Sequence, residues 1–201
     1  MNFVEDLPAL EALYGTPSEA ATRKVTPGLT PAYKTWIERS RFCVLSTVGS
    51  GGTDGSPRGD IDPVVKVLDA KTLLLPDWRG NNRIDTLRNI VEDGRISLMF
   101  MVPGSREVMR VNGTAKITAD DAACQQFEQR GQHPRSVIVI AISEVYPQCA
   151  KSIMRSEIWT SGDQSEGLPT LGAMLKEITE GGIDGEAFDA AWPERSKATL
   201  W

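Results

Sequence analysis

From Arg41 onward, apolar and polar positions alternate in short runs bounded by turn-forming residues. This period-two pattern predicts half-buried β-strands over 41–48, 64–68, 72–75, 95–102, 107–117 and 136–146. Asp69-Ala70-Lys71 and Pro103-Gly104-Ser105-Arg106 join neighbouring runs as hairpin turns. Residues 49–59 are rich in glycine and suit either a hairpin or a mobile loop. In 107–117 one face is apolar, through Val108 and its alternates, until Asn112-Gly113 breaks the pattern.

The period lengthens at both ends of the chain. Thr16-Pro17-Ser18-Glu19 reads as a capping box with proline at the first helical position. Thr30-Pro31 repeats the signal before a segment in which Tyr33, Trp36 and Ile37 share a helix face. Further helices are predicted over 83–91, with Ile84, Leu87 and Val91 toward the core, over 120–129 and over 171–179. The last twenty residues show little periodicity, yet Trp192 and Trp201 need something to pack against. The chain therefore divides into a helical extension (1–40) packed on a barrel, a β-domain (41–160), and a C-terminal extension (161–201) packed on the same domain or on a dimer partner. Six hairpin-joined strands with flanking helices predict a mainly β fold, a small barrel, because closure removes exposed strand edges. A dinucleotide fold is a poor fit, since no G-x-G-x-x-G follows a strand.

Composition narrows the function classes. The balance of 40% hydrophobic to 24% charged residues is that of a globular core. A net charge of -5 with no basic tract argues against nucleic-acid binding. The absence of an 18-residue apolar run argues against a membrane span. With no basic-then-apolar leader, the expected location is the cytoplasm. Three separated cysteines form neither a disulfide framework nor a metal motif, and Cys43 reads as a small buried hydrophobe. His133, the sole histidine, lies in a loop; no multi-histidine metal site and no serine-histidine-acid triad is expected.

Four clusters offer chemistry. The richest is the turn Pro76-Asp77-Trp78-Arg79-Gly80-Asn81-Asn82-Arg83, where an apolar run meets a helix start. Arg79 and Arg83 supply guanidinium forks and Asn81 and Asn82 neutral donors, so the turn suits a phosphate. It equally suits an ordinary solvated corner. Asp77 brings a like charge unless it caps the turn or pairs with an arginine. Arg58, in Ser56-Pro57-Arg58-Gly59-Asp60, reaches a cofactor or pairs with Asp60 or Asp62. Arg110 faces a ligand, a subunit interface or solvent. Lys151, Arg155 and Trp159 share a helix face that suits a planar anion or belongs to a plain amphipathic helix.

In this order and setting, the four clusters resemble the FMN-binding split-barrel family related to pyridoxamine 5'-phosphate oxidase, over about 41–159, and look closest to PPOX-type flavoproteins of unsettled substrate. The resemblance implies a six-stranded split barrel and a homodimer holding FMN in two inter-subunit clefts. It implies phosphate contacts from Arg79, Asn81, Asn82 and Arg83, and ring contacts near 44–47 and from Arg58 and Asp60. Arg110, Lys151, Arg155 and Trp159 of the second subunit would close the cleft. Where the family has an Arg-Lys pair, this chain reads Asn81-Asn82-Arg83, and the substrate-binding histidine and arginine of true pyridoxamine 5'-phosphate oxidases have no counterpart. The implied function is an oxidoreductase that passes hydride or electrons through flavin N5 to or from a small-molecule substrate. NAD(P)H, a deazaflavin or a partner reductase would serve as the donor. The alternative is a non-catalytic flavin carrier or sensor. No particular residue is singled out as catalytic.

Overall fold

A computed structural model describes residues 1–201. Its centre is one antiparallel sheet of seven strands: β1 (Phe42–Gly49), β2 (Gly52–Gly59), β3 (Lys66–Asp69), β4 (Thr72–Asp77), β5 (Arg95–Met101), β6 (Val108–Thr118) and β7 (Ser136–Gln148). The spatial order is β2-β1-β5-β6-β7-β4-β3. Six of the strands follow the alternation in the sequence. The seventh, β2, fills the glycine-rich stretch and pairs with β1 from Phe42↔Gly59 to Gly49↔Gly52. The strand count is thus seven rather than six. β2 escapes a hydrophobic reading because its half-buried positions are Asp54, Ser56 and Arg58, polar residues turned toward a cleft instead of a core.

The sheet rolls until its ends meet. β2 and β4 stand far apart in strand order, yet Arg58 of β2 pairs with Asp77 of β4 at 2.5 Å. Next to this contact the Trp78 indole N–H donates to Asp60 at 2.7 Å. Side chains, not a backbone ladder, hold this seam. The result is a barrel split along one line.

The interior is filled by Cys43, Leu45, Leu73, Leu75, Leu98, Phe100, Val111, Ile138, Ile140 and Val145. Leu74 points the other way, with Cys124 and Val137, so β4 is apolar on both faces and reads as a continuous run. In β6 the inward face carries Met109 and Val111, not the alternates of Val108; Arg110 and Asn112 share the outward face. A register shift between Asn112 and Gly113 forms the break seen in the sequence. Gly113 is needed there, since a Cβ would stand 2.0 Å from the Ala141 carbonyl oxygen.

Eight short helices surround the sheet: α1 (Leu7–Glu11), α2 (Glu19–Arg23), α3 (Pro31–Ile37), α4 (Asp85–Glu92), α5 (Asp121–Cys124), α6 (Lys151–Ser156), α7 (Leu171–Ile178) and α8 (Gly185–Ala198). Thr30 caps α3, which lays Ile37, Tyr33 and Trp36 on the core. α1 and α2 bury no residue, and α2 is capped by Ser18 instead of Thr16. The helix expected over 83–91 begins at Asp85 and buries Thr86 and Ile90; Ile84 and Val91 are exposed. That shift turns the helix face by about one position. The helix expected over 120–129 stops at Cys124, after which Gln129 and Gln132 bridge a loop. The weakly periodic C-terminus forms the longest helix, α8, which crosses α7 where Gly172 and Gly185 touch backbone to backbone. No helix is long and apolar enough to cross a membrane.

Candidate functional site

The split in the barrel opens into a cleft of about 700 Å³. Two segments supply most of it. β2 contributes Asp54, Ser56 and Arg58, with Asp60 just beyond; the end of β4 and the turn into α4 contribute residues 75–87; Arg135, Ser136 and Leu200 complete the wall. Of the residues singled out from sequence, Arg58, Asp60, Arg79, Asn81, Asn82 and Arg83 all line this one space. Arg135 and Leu200 carried no sequence signal. Asp54 and Ser56 did: the polar period-two series Asp54, Ser56, Arg58, Asp60 is a strand pattern with the cleft in place of a core.

Much of the cleft's charge is paired. Arg58 is bound to Asp77, not to Asp60 or Asp62, and its Nε is buried with no partner. Asp54 accepts from the Thr86 hydroxyl, and Asp62 from the Gln129 amide at 3.0 Å. Arg83 pairs with Asp85 at 2.8 Å and remains largely exposed. Arg79 has no carboxylate partner, and Arg135 reaches only Asn82, at 3.4 Å. Positive charge is therefore free at the turn end of the cleft. Beneath Arg58, its strand neighbour Cys43 is fully buried; burial pushes the thiol up to about 12, with the guanidinium pulling weakly the other way.

The turn itself is strained. Asn82 (φ 61°) and Ile84 (φ 52°) both take left-handed backbone conformations, and for a β-branched residue that is a true outlier. Ile84 occupies the N-cap of α4 and makes no side-chain capping bond. The first N–H groups of α4 consequently lack the usual side-chain acceptor, beside Arg79 and Arg83. Asn81 accepts from the Arg83 backbone N–H at 3.0 Å, which shapes the corner. The arginines lie before the helix and not on its first turn, so their four-residue spacing is not what brings them together.

The remaining candidates lie elsewhere. Arg110 stacks on Tyr146 at 5.3 Å, with Lys24 at 5.9 Å from the same ring, and the Arg110 Nε is buried without a partner. Trp159 donates its indole N–H to the Ser105 carbonyl at 2.8 Å, whereas Lys151 and Arg155 project from α6 into solvent. None of these four lines the cleft of its own chain.

The donor set fits small phosphate-bearing ligands, a flavin mononucleotide among them. A dianionic phosphate matches free arginines at an uncapped helix start, and the volume lies in the range of small-ligand sites. The orphaned Arg58 Nε offers a donor at the cleft wall.

Comparison with known proteins follows this geometry. No curated protein matches the chain. Group A Streptococcus HupZ is similar in structure, at 23% identity and a TM-score of 0.48 over 59% of this chain and 93% of that one. An FMN-binding protein from Syntrophomonas wolfei is 18% identical, with a TM-score of 0.40 over 58% and 88%. An F420 reductase is 16% identical, with a TM-score of 0.41 over 60% and 97%. The family model described as pyridoxamine 5'-phosphate oxidase matches residues 29–149, from the end of the α3 approach through β7, and takes in the entire cleft-bearing barrel. The chain belongs to the pyridoxamine 5'-phosphate oxidase family.

Proposed function

We propose that this protein binds FMN in the split of the barrel and works as an FMN-dependent oxidoreductase on a small molecule. The observation that carries the reading is the convergence of Arg58, Arg79, Arg83 and Arg135 with Asn81 and Asn82 on one cleft, at a helix start with no side-chain cap. Arg79, Arg83, Arg135 and the first N–H groups of α4 would hold the phosphate, and Arg58 would approach the ring. Bound flavin supplies hydride or electron transfer at N5. The chain's own part is to bind, to orient and to limit water: β2 forms one wall, and the Arg58–Asp77 pair fixes the guanidinium that would approach the ring.

The same reading takes the working form to be a homodimer. The outward face of β1 and β5 leaves Phe42 and Met99 more than a third exposed. Arg110 and α6 lie outside their own cleft, which supports their closing the cleft of a second copy. Three cysteines without a disulfide suit the cytoplasm.

Incubation with FMN, desalting and an absorption spectrum test the reading; a chain that retains no flavin at any FMN concentration sinks it. Arg83→Ala is expected to weaken FMN by ~1–3 kcal/mol, the scale of a hydrogen bond to a charged group. An unchanged dissociation constant would remove Arg83 from the phosphate site.

A second reading, a non-catalytic flavin carrier or sensor, is favoured by one observation. Asp54, Asp60, Asp77 and Asp85, the carboxylates of the cleft, all already accept hydrogen bonds from the fold. Each is engaged with a donor of the fold, and none stands wholly unpartnered in the cleft. Reduction of bound flavin by NAD(P)H, reduced F420 or a reductase, followed by reoxidation with a defined acceptor, separates the enzyme from the carrier.

A further inference from the structure

The Trp78–Asp60 contact borders a second cavity, of about 480 Å³, as well as the cleft. Glu38 at the end of α3, Asp62 between β2 and β3, and the loop after α5 supply its other sides. That loop exists because α5 stops at Cys124. The Gln129–Gln132 bridge holds it, as does His133 Nδ1, 2.6 Å from the Phe127 carbonyl oxygen. The lining is a set of acceptors. Glu38, Asp60, Asp62 and Glu128 face one cation, Lys66, which pairs with no carboxylate. Glu128 pairs with no cation, and Glu38 has only a long contact with Lys34, at 3.7 Å. Gln129 is decisive. It is only 9% exposed and lines the cavity; its amide N–H donates to Asp62 at 3.0 Å, while its carbonyl oxygen accepts no hydrogen bond from the protein. A buried amide oxygen left without a donor is costly, so a donor entering the cavity gains that bond. Trp78 and Phe127, both partly buried, add two aromatic rings, whose faces attract cations.

We infer that this second cavity binds a linear organic polyammonium ion, whose N–H groups reach Asp62, Glu128 and the Gln129 carbonyl oxygen and whose methylenes lie against Trp78 and Phe127. A metal ion is the wrong occupant, because no three acidic, histidine or cysteine side chains stand close enough to hold one. Carboxylates on three separate segments call instead for positive charge spread along the ligand. The rings and the amide oxygen favour N–H donors on an apolar stem over a hydrated inorganic cation. The cleft gathers free positive charge at its turn and this cavity gathers negative charge, so the two take ligands of opposite sign. The inference stands independently of what fills the cleft.

Calorimetric titration of the full chain with spermidine at low salt tests this. Spermidine is expected to bind, and Asp62→Asn and Glu128→Gln are each expected to weaken it by about tenfold, the scale of one hydrogen bond to a charged group. Both residues are exposed and both changes keep the side-chain shape, so urea midpoints should stay where they are. Asn at 62 can still accept from Gln129. Glu11→Gln removes one charge from α1, a helix that buries no residue, and should leave spermidine binding unchanged. An equal loss in all three variants would reduce the effect to attraction by the net charge of -5 and overturn the site. Binding that Asp62→Asn and Glu128→Gln leave intact overturns it too, as does the absence of any binding at millimolar spermidine. Flavin retention is measured separately, and its failure leaves this inference standing.

Discussion

Arg58 and Asp77 meet across the seam with only 18% and 20% of their side chains exposed. Removal of either partner leaves the other charge poorly solvated, so Arg58→Ala and Asp77→Ala are each expected to cost ~2 kcal/mol in urea unfolding. The double variant should cost clearly less than the sum, because the two share one interaction. Strict additivity would mean that the pair does not couple the seam. Cys43 makes a separate statement about pH. Its folded pKa of about 12 lies above the ordinary 9.0, so the folded and unfolded thiols are both protonated at neutral pH and its full contribution is present there. Above pH 9 only the unfolded chain ionises, and stability drains away by up to about 1.4 kcal/mol per pH unit until the folded thiol also ionises. Urea midpoints at pH 8, 9 and 10 should fall more steeply for the unaltered chain than for Cys43→Ala; parallel slopes would contradict the burial argument.

Among the elements, α4 is the one whose local chemistry conflicts with its place. Isoleucine is a poor N-cap and a poor left-handed residue, yet Ile84 is both. Ile84→Asn supplies a capping oxygen, tolerates the backbone, and gives up little packing because Ile84 is 47% exposed. It should raise the stability of the flavin-free chain by ~1 kcal/mol. A lower urea midpoint would show that Ile84 packs more strongly than its exposure indicates. Strain kept where a ligand would sit is a hallmark of functional turns. β2 shows the opposite situation. Its backbone pairing is regular from end to end, but nothing apolar advertises it, and glycine and proline make it look like a loop. α8 was equally hard to read, because it packs through glycine backbone contacts and not through an apolar stripe.

For the whole molecule, Phe42 and Met99 exposed on the outer sheet face and the candidate residues that lie outside the cleft of their own chain lead to one expectation. The protein should run in light-scattering measurements at twice its 22.0 kDa chain mass. Met99→Arg, which charges that face, should return it to one chain mass; a dimer that survives the change would place the interface elsewhere.

Six strands, α3, α7 and the cluster around the turn were legible in the sequence. Alternation with a buried face, a Thr-Pro cap and arginines beside asparagines are local signals, and each reports a local cause. The sequence also determined which residues carry charge and that a family resemblance ran through the barrel. Only the tertiary structure decided how they meet. It joined β2 to β4 across a seam distant in strand order, gave Asp77 to Arg58, and brought Arg135 and Leu200 to the same cleft. It also moved the start of α4 past both arginines of the turn. Contacts closed by the rolling of a sheet depend on the summed twist of every strand, and no periodicity along the chain records them.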